Sequence, residues 1–240
     1  MSNYKERAVA FMDILGMSTL VSRISDDESL RLNLHDALML IKQQERYSTV
    51  IANDLSQMQV SVFSDCIAIS IRPDKISTLI CVCSNLQDRI LHLGFAIRGG
   101  IAVGRTIHEN GILYGEGIVR AYEIESTHAR NPCILLDEKL DDRFSIPTSS
   151  EYLDTDDDYR RIVTPMVGTP FLENAADLAA EGYDPRELFM TDVRRHLIRN
   201  LKAAEGEAFF GKWLWLARRF NCAIRTQCCY PAIAKIEIPI

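Results

Sequence analysis

The sequence predicts an α/β fold of the α+β type, with a ferredoxin-like split βαβ core and additional C-terminal helices. Two patterns predict this class. Strand-like apolar runs alternate with amphipathic helical stretches in the order β-α-β-β-α-β over the first half of the chain. Residues 184–226 then have strong helical periodicity. We therefore expect one mixed sheet, covered by helices and followed by a helical part.

The composition is typical of a globular chain that is long enough to bury its own core. The 240 residues are 47% hydrophobic and 25% charged, with a formal net charge of −6. This acidity argues against nucleic acid as a partner, because sequence-independent binders carry a basic face. Seven cysteines, mostly inside apolar runs, indicate a reducing compartment. With no signal-peptide pattern or membrane-spanning run, we expect a cytoplasmic protein without a membrane partner.

The elements of the first half follow from hydrophobic spacing. Residues 7–15 are an apolar run typical of a central strand, and residues 17–46 have the spacing of one helix. The alternation in residues 58–71 predicts a hairpin whose tight turn holds Asp65. A second amphipathic helix then ends at Gly94, and a glycine-rich strand follows it.

The second half is predicted to be less regular. A short helix is expected after Gly115, a strand within residues 132–140, and an exposed polar excursion over residues 149–161. No internal repeat or low-complexity linker divides the chain. We expect a catalytic core at residues 1–145 and a helical extension at residues 146–240, with a closing strand near the end, packed on that core.

Two aspartates interrupt segments that are otherwise built to be buried. In the predicted order the first strand lies beside the hairpin, so Asp13 and Asp65 approach each other at one edge. Close carboxylates repel unless a cation lies between them, and Mg²⁺ and Mn²⁺ prefer such oxygen ligands together with substrate phosphates. The alternative is a helix cap at Asp13 and a turn residue at Asp65. The pair together favours a two-metal site for displacement at phosphorus.

Phosphate-binding groups are predicted beside these acids. Gly16 allows close approach of the backbone to a ligand, and the N–H groups of Met17 and Ser18 begin a helix. Arg98 lies in an apolar strand and needs a compensating anion, which a salt bridge or a bound phosphate would supply equally well. The glycines at 99–100 are expected to let a ligand come close. The chain has no Walker-type motif.

Four segments resemble the catalytic domain of class III nucleotidyl cyclases. The segments FMDILGMS, FSDCIAIS, RGGIAVG and YGEGIVRAYEIES fall in that family's order and spacing, and the resemblance covers residues 7–136. More specifically, they resemble the pyrimidine nucleotide cyclases of bacterial Pycsar anti-phage systems. The resemblance implies conversion of UTP or CTP to 3′,5′-cyclic UMP or cyclic CMP and pyrophosphate. The product is expected to act as a second messenger on a separate effector.

The resemblance also implies roles for individual residues. Asp13 and Asp65 are expected to bind two divalent metal ions, Mn²⁺ or Mg²⁺, with the backbone carbonyl of Ile14 as a further ligand. Arg98 and the backbone of Met17–Ser18 are expected to hold the triphosphate, so Asp13, Asp65 and Arg98 are the predicted catalytic residues. The family's active site forms across a homodimer interface, which implies a homodimer here.

The chain departs from the purine cyclases at their base-reading positions. Ser61 stands where those enzymes have a lysine, and Ile112 stands where they have an aspartate or a similar polar residue. Without that pair an adenine site loses its best discriminating groups, which favours another base. Arg46 and Tyr47, together with Ser61, are the candidates for contacting a pyrimidine.

A second departure concerns the charge near the α-phosphate. Purine cyclases have an asparagine and an arginine at the positions of Val119 and Glu123. A substitute cation is therefore expected, and Arg46, Arg120 and Arg130 are the candidates. The competing hypotheses are an adenylate or guanylate cyclase and a catalytically dead nucleotide sensor.

Overall fold

The structure is a computed structural model of the chain. It describes the backbone of residues 4–50, 58–140, 144, 146, 152–166, 175–226 and 233–238. The side chains of residues 44–50 and 175–176 are outside that description.

A mixed β-sheet forms the centre of the fold, and strand β1, Lys5–Ile14, lies in its middle. β1 pairs antiparallel with β3, Cys66–Ile71, on one side and with β4, Ile97–Glu109, on the other. β2, Gln59–Phe63, forms the predicted hairpin with β3. The resulting order β2-β3-β1-β4 is that of a split βαβ core, so the predicted fold class is confirmed.

The sheet continues beyond β4 with four short strands. β5, Ile112–Gly115, and β6, Ile134–Leu136, both pair with β4, and β6 is parallel to it. β8, Arg161–Val163, pairs with β6, and β7, Leu153–Thr155, pairs with β8. Residues 152–161 are thus mostly exposed, as predicted for the excursion over residues 149–161, but they pair with the sheet through β7 and the start of β8, which was not predicted. The acidic strand β7 is half-exposed at the sheet edge, where polar side chains are tolerated, and its composition conceals the pairing.

Two helices replace the single one predicted over residues 17–46. α1, Met17–Arg23, is separated from α2, Glu28–Val50, by a short break. The break has a local cause, because the side chain of Asp27 accepts a hydrogen bond of 2.9 Å from the N–H of Leu30. This is the capping interaction that begins a new helix.

Helices cover both faces of the sheet. α2 and α3, Ile76–His92, share one hydrophobic core with the sheet, and α3 ends before Gly94, which has the positive φ of +90° expected there. The opposite face carries α4, Glu116–Glu123, and a π-helical turn, Ile124–His128. Among the described helices, none combines the length and apolar character that a membrane span needs.

Three helices follow in the C-terminal part, and the two long ones pack on the same face as α4. They are α5, Ala175–Ala180, α6, Pro185–Ala203, and α7, Phe210–Thr226. Phe189 of α6 and Phe220 of α7 are fully buried in a cluster that also contains sheet residues. These two helices therefore share a core with the sheet, while the boundary proposed at residue 145 stays a prediction.

The tryptophans of α7 and the last described segment belong to this layer as well. Trp215 is buried in the core cluster, and Trp213 is partly buried against it. Residues 233–238 form no strand within the described part of the chain. The segment is held instead by Asn221, whose side-chain amide donates to the carbonyl of Ile236 and accepts from its N–H.

Gly100 offers a test of the packing between β4 and the helix above it. An added Cβ would overlap the carbonyl oxygen of Ala121 and lie 2.8 Å from Cβ of Ile124. We expect Gly100→Ala to lower the free energy of unfolding by about 1–3 kcal/mol, because backbone cannot move aside cheaply. Gly211→Ala in α7, where a Cβ meets nothing within 4 Å, is the control and should be neutral or stabilising. Equal denaturation midpoints for the two variants would contradict this account.

Candidate functional site

The predicted acids lie at adjacent strand ends. Asp13, near the end of β1, is in register with Cys66 of β3 and with Arg98 of β4. Asp65 lies in the β2–β3 turn, and its carbonyl accepts a hydrogen bond of 3.3 Å from the N–H of Ile14. The fold thus brings Asp65 and Arg98, which are distant in sequence, to the same place as Asp13 and Ile14.

Glu125 is a fourth charged residue at this place, and it was not predicted from the sequence. Nε of Arg98 lies 3.3 Å from Oδ1 of Asp13 and 2.6 Å from Oε1 of Glu125, so one guanidinium bridges two carboxylates. The Glu125 side chain is only 3% exposed. The sequence did contain a signal for a buried Glu125. Glu125 follows the buried Ala121 by four residues, so it continues the buried face of α4 into the π-helical turn.

The electrostatics of the cluster show that its acids act on one another. Burial and the repulsion of Asp13, together with a hydrogen bond to Asp13, raise the pKa of Glu125 to about 7, against the opposite effects of Arg98 and Lys212. Burial and the carboxylates of Asp65, Asp13 and Glu125 raise the pKa of Cys66 to about 11. Three acids thus surround a position where Arg98 is the nearest compensating charge.

This donor set fits a divalent cation of the magnesium type. Carboxylate oxygens at two strand ends, with the carbonyl of Ile14 beside them, are the hard ligands that Mg²⁺ and Mn²⁺ prefer. When Glu125 is ionised, three carboxylates against the charges of Arg98 and Lys212 leave an excess of negative charge that a cation would neutralise. The described residues contain no preformed group of three side-chain ligands, so ions would depend on substrate oxygens to complete their coordination.

The corner after β1 has the conformation that was predicted to suit a phosphate. Gly16 has a left-handed φ of 76°, and an added Cβ there would meet nothing within 4 Å, so the backbone borders open space. Met17 begins α1 directly after it, and Ser18 is exposed in the first turn. The first amides of a helix have no acceptor within the helix. This corner adjoins the acid cluster through Ile14, which pairs with the residue preceding Arg98.

The glycines that follow Arg98 have a packing role and do not open a path for a ligand. A Cβ on Gly99 would lie 2.6 Å from the carbonyl oxygen of Phe11, and one on Gly100 would overlap the carbonyl of Ala121. The expectation of ligand approach at these glycines is therefore wrong. They let β1 and α4 come close to β4, which holds Arg98 and Glu125 within contact distance.

Ser61 belongs to a separate buried network, on the face of the sheet that also carries Asp13. Its Oγ lies 2.8 Å from Nε2 of His108, whose Nδ1 lies 2.8 Å from Oγ of Ser70. Arg7 donates from Nε to Oγ of Ser70 at 2.8 Å. The hydroxyl of Ser61 is therefore already engaged within the chain. Any contact between Ser61 and a nucleotide base would have to share or displace the bond to His108.

The buried His108 should make the stability of the fold depend on pH. Burial, followed by the charge of Arg7, lowers the pKa of His108 to about 4, and burial likewise lowers that of His196 to about 4. Below the unfolded pKa of about 6.5 the unfolded chain binds protons that the folded chain does not, so stability falls as the pH falls toward 4. For His108 the loss is about 2–3 kcal/mol.

Denaturation at a series of pH values tests this account of His108. His108→Gln should show a shallower loss of stability between pH 6.5 and 4 than the parent chain, while His196 keeps part of the slope. His35→Gln, at an exposed helical position, is the matched control and should keep the full slope. Parallel curves for all three proteins would show that His108 is not the titrating group.

The remaining predicted residues lie in several places. Arg46 and Tyr47 fall in α2, and their side chains are outside the described part of the chain. Arg120 is bound by Asp137 through Nε at 2.9 Å, with a second bond of 2.9 Å from NH1 to Glu123. This engagement raises the pKa of Arg120 and pairs it with Asp137 and Glu123, whereas Arg98 is the arginine paired with the acids of the cluster.

The other positions that distinguish the chain from purine cyclases are exposed. Ile112 and Val119 are apolar surface residues, at 57% and 65% exposure. Arg130 is exposed as well.

Comparison with known proteins gives similarity in structure alone. No family model and no curated protein matches the sequence. One similar structure is a bacterial light-regulated adenylyl cyclase, with a TM-score of 0.42 and 12% identity. The match covers 78% of this chain but only 57% of the length of that protein. The catalytic core of a rhodopsin-guanylyl cyclase with converted specificity, in complex with ATPαS, has a TM-score of 0.46 and 15% identity, covering 68% of this chain and 97% of the other.

A third similar structure is a monomeric guanylyl cyclase domain of a fusion protein from the aquatic fungus Blastocladiella emersonii. Its TM-score is 0.42 and its identity 16%, with 68% of this chain and 96% of that chain covered. These similarities are remote. The functional conclusions below rest on the residues of this chain.

Proposed function

We propose that the chain is a nucleotidyl cyclase that converts a nucleoside triphosphate to a 3′,5′-cyclic nucleotide and pyrophosphate. The observation that carries the proposal is the convergence of Asp13 and Asp65 at adjacent strand ends beside Arg98, on a split βαβ sheet. Two carboxylates with excess negative charge are suited to divalent metals and a polyphosphate. The resemblance of the surrounding segments to class III cyclases supports the same reaction.

The chain's own residues have separate tasks in this reaction. The 3′-oxygen forms a bond to the α-phosphorus, its proton passes to solvent, and the bond to the bridging oxygen breaks so that pyrophosphate leaves with the electron pair. Asp13, Asp65 and the carbonyl of Ile14 would hold Mn²⁺ or Mg²⁺, which favours ionisation of the hydroxyl and offsets charge on the leaving group. Arg98, fixed by the buried Glu125, contributes positive charge at the phosphates.

We propose a pyrimidine nucleotide, UTP or CTP, as the substrate. Ser61 and Ile112 lack the charges that read adenine, and the structure adds that the Ser61 hydroxyl is bound to His108 while Ile112 faces solvent. Arg46 and Tyr47 remain the proposed contacts to the base. Unpaired cysteines, such as the buried Cys83, suit the cytoplasm, where such triphosphates are available.

A homodimer is proposed because the site borders exposed apolar side chains. Phe63, Val119 and Tyr122 are between 52% and 65% exposed. The ring of Tyr122 packs edge-on against that of Phe11, with 5.4 Å between the ring centroids, and Phe11 precedes Asp13 by two residues in β1. Large apolar side chains that are exposed to this extent are typical of a surface that binds another protein chain. The cyclic product would then act on a separate effector in anti-phage defence, as the Pycsar resemblance implies.

The experiment that tests the function compares four nucleotides directly. Purified protein with Mn²⁺ is incubated separately with ATP, GTP, UTP and CTP, and products are identified by mass spectrometry. Cyclic UMP or cyclic CMP supports the proposal and names the base. A cyclic purine nucleotide would favour the adenylate or guanylate cyclase alternative. Binding of a nucleotide without any cyclic product would favour the nucleotide sensor.

A further inference from the structure

A cavity of about 100 Å³ lies beside Gly16, between α1 and the two long C-terminal helices. Gly16, Thr19 and Arg23 line one wall, and Asn200 of α6 and Lys212 of α7 line the other. Apolar side chains, among them Leu20 and Trp213, complete the lining, and the volume is sufficient for several water molecules or one phosphate-sized anion. Because it adjoins the corner that follows β1, it is a direct extension of the space next to the acid cluster.

Lys212 is the side chain that connects this cavity to the acids. Lys212 is half-buried, and it lies close enough to Arg98, Asp13 and Glu125 for their charges to act on it. Burial, followed by the repulsion of Arg98, lowers the pKa of Lys212 despite both acids. Among the described residues, no carboxylate oxygen forms an ion pair with Lys212 within 4 Å.

A half-buried ammonium without an ion-pair partner is costly unless an anion joins it. The opposite wall of the cavity supplies Arg23, and Arg199 lies close enough to Arg23 for the two charges to repel. Asp27 attracts Arg199, and Arg195 repels it as well. The cavity is therefore bordered by cations on both walls, which suits an anion with several charges.

We propose that Lys212 binds the terminal phosphates of the substrate and that the cavity beside Gly16 receives them. The proposal rests on the proposed function for the identity of the substrate, and it adds a residue from the C-terminal helical layer to the site. As the bond between the α-phosphorus and the bridging oxygen breaks, negative charge accumulates on the departing pyrophosphate. An ammonium in contact with those oxygens stabilises that charge.

The test uses inorganic pyrophosphate as the probe, because it has neither base nor ribose. Binding to the full chain is measured by titration calorimetry without divalent metal, for the parent and for Lys212→Met, Lys212→Arg and Lys202→Met. Lys202, exposed on α6, is the matched control. Lys212→Met should weaken pyrophosphate binding about tenfold or more, as expected for loss of a charge-assisted hydrogen bond. Lys212→Arg and Lys202→Met should bind almost as the parent does.

The outcomes separate this proposal from the cyclase function. Loss of pyrophosphate affinity in Lys212→Met supports the cavity site whether or not any cyclic product is found. Unchanged affinity in Lys212→Met, or no binding by the parent, overturns it even if the chain proves to be a cyclase. Thermal melting of each variant checks the fold. If Lys212→Met melts early, Lys212→Gln, which keeps a polar end, decides by the same criteria.

Discussion

Asp13→Asn or Asp65→Asn should lower the formation of cyclic nucleotide by about a thousandfold, because each variant removes charge that holds a metal ion worth several kcal/mol. The Asp13→Asn change is nearly isosteric, so packing around β1 should be preserved. The repulsion that Asp13 exerts on Glu125 would also disappear. We therefore expect a melting temperature at or above that of the parent chain together with an almost complete loss of turnover.

The control for this pair of variants is an acid outside the cluster. Asp157, exposed between β7 and β8, is suitable, and Asp157→Asn should leave turnover unchanged. Product is followed at saturating Mn²⁺ and nucleotide, with circular dichroism to verify folding. Turnover near the parent rate in either cluster variant would show that the carboxylate changed there has a structural role only.

Arg98→Met should lower both activity and stability, for different reasons. Turnover should fall by about a hundredfold or more, since one charge at the phosphates is lost. The free energy of unfolding should fall by about 2–4 kcal/mol, because the carboxylate of Glu125, only 3% exposed, loses its 2.6 Å ion-pair partner. Denaturant titration and initial-rate measurements on the same preparation give both quantities.

The double variant Arg98→Met with Glu125→Gln separates the two roles of the arginine. Without a buried carboxylate, no unpaired charge remains, and most of the lost stability should return. Turnover should stay low, because the positive charge is still absent. If turnover returned together with stability, Arg98 would be a positioning residue for the sheet and not a phosphate contact.

The strands of the core were predictable because their signals are local. The alternation of apolar and polar residues in β2 and β3 and the apolar run of β1 identify these segments as strands. The turn at Asp65 needs residues that tolerate a left-handed backbone conformation, as the φ of 57° at Ser64 shows. Strands β7 and β8 were missed because three residues each are too short for a period to emerge. The break before α2 depends on one capping bond at Asp27, which a long helical pattern hides.

The site was partly predictable for the same reason. Asp13 and Asp65 interrupt buried segments, so their oddity is visible in the sequence alone. Glu125 and Lys212 are ordinary residues of amphipathic helices, and only tertiary packing brings them to β1. Arg98 was recognised as needing an anion, but the choice between a phosphate and a side chain required the position of Glu125.

The central place of β1 has a consequence for how the protein folds. β1 pairs with β4, and their residues Asp13 and Arg98 are 85 residues apart in sequence. The helices α4, α6 and α7, which pack together on one face of the sheet, follow β4 in the sequence. Non-local pairing slows folding and exposes unpaired edges meanwhile. The proposed site should therefore assemble late in folding, after β4 has paired with β1 and the helices after β4 have packed on the sheet.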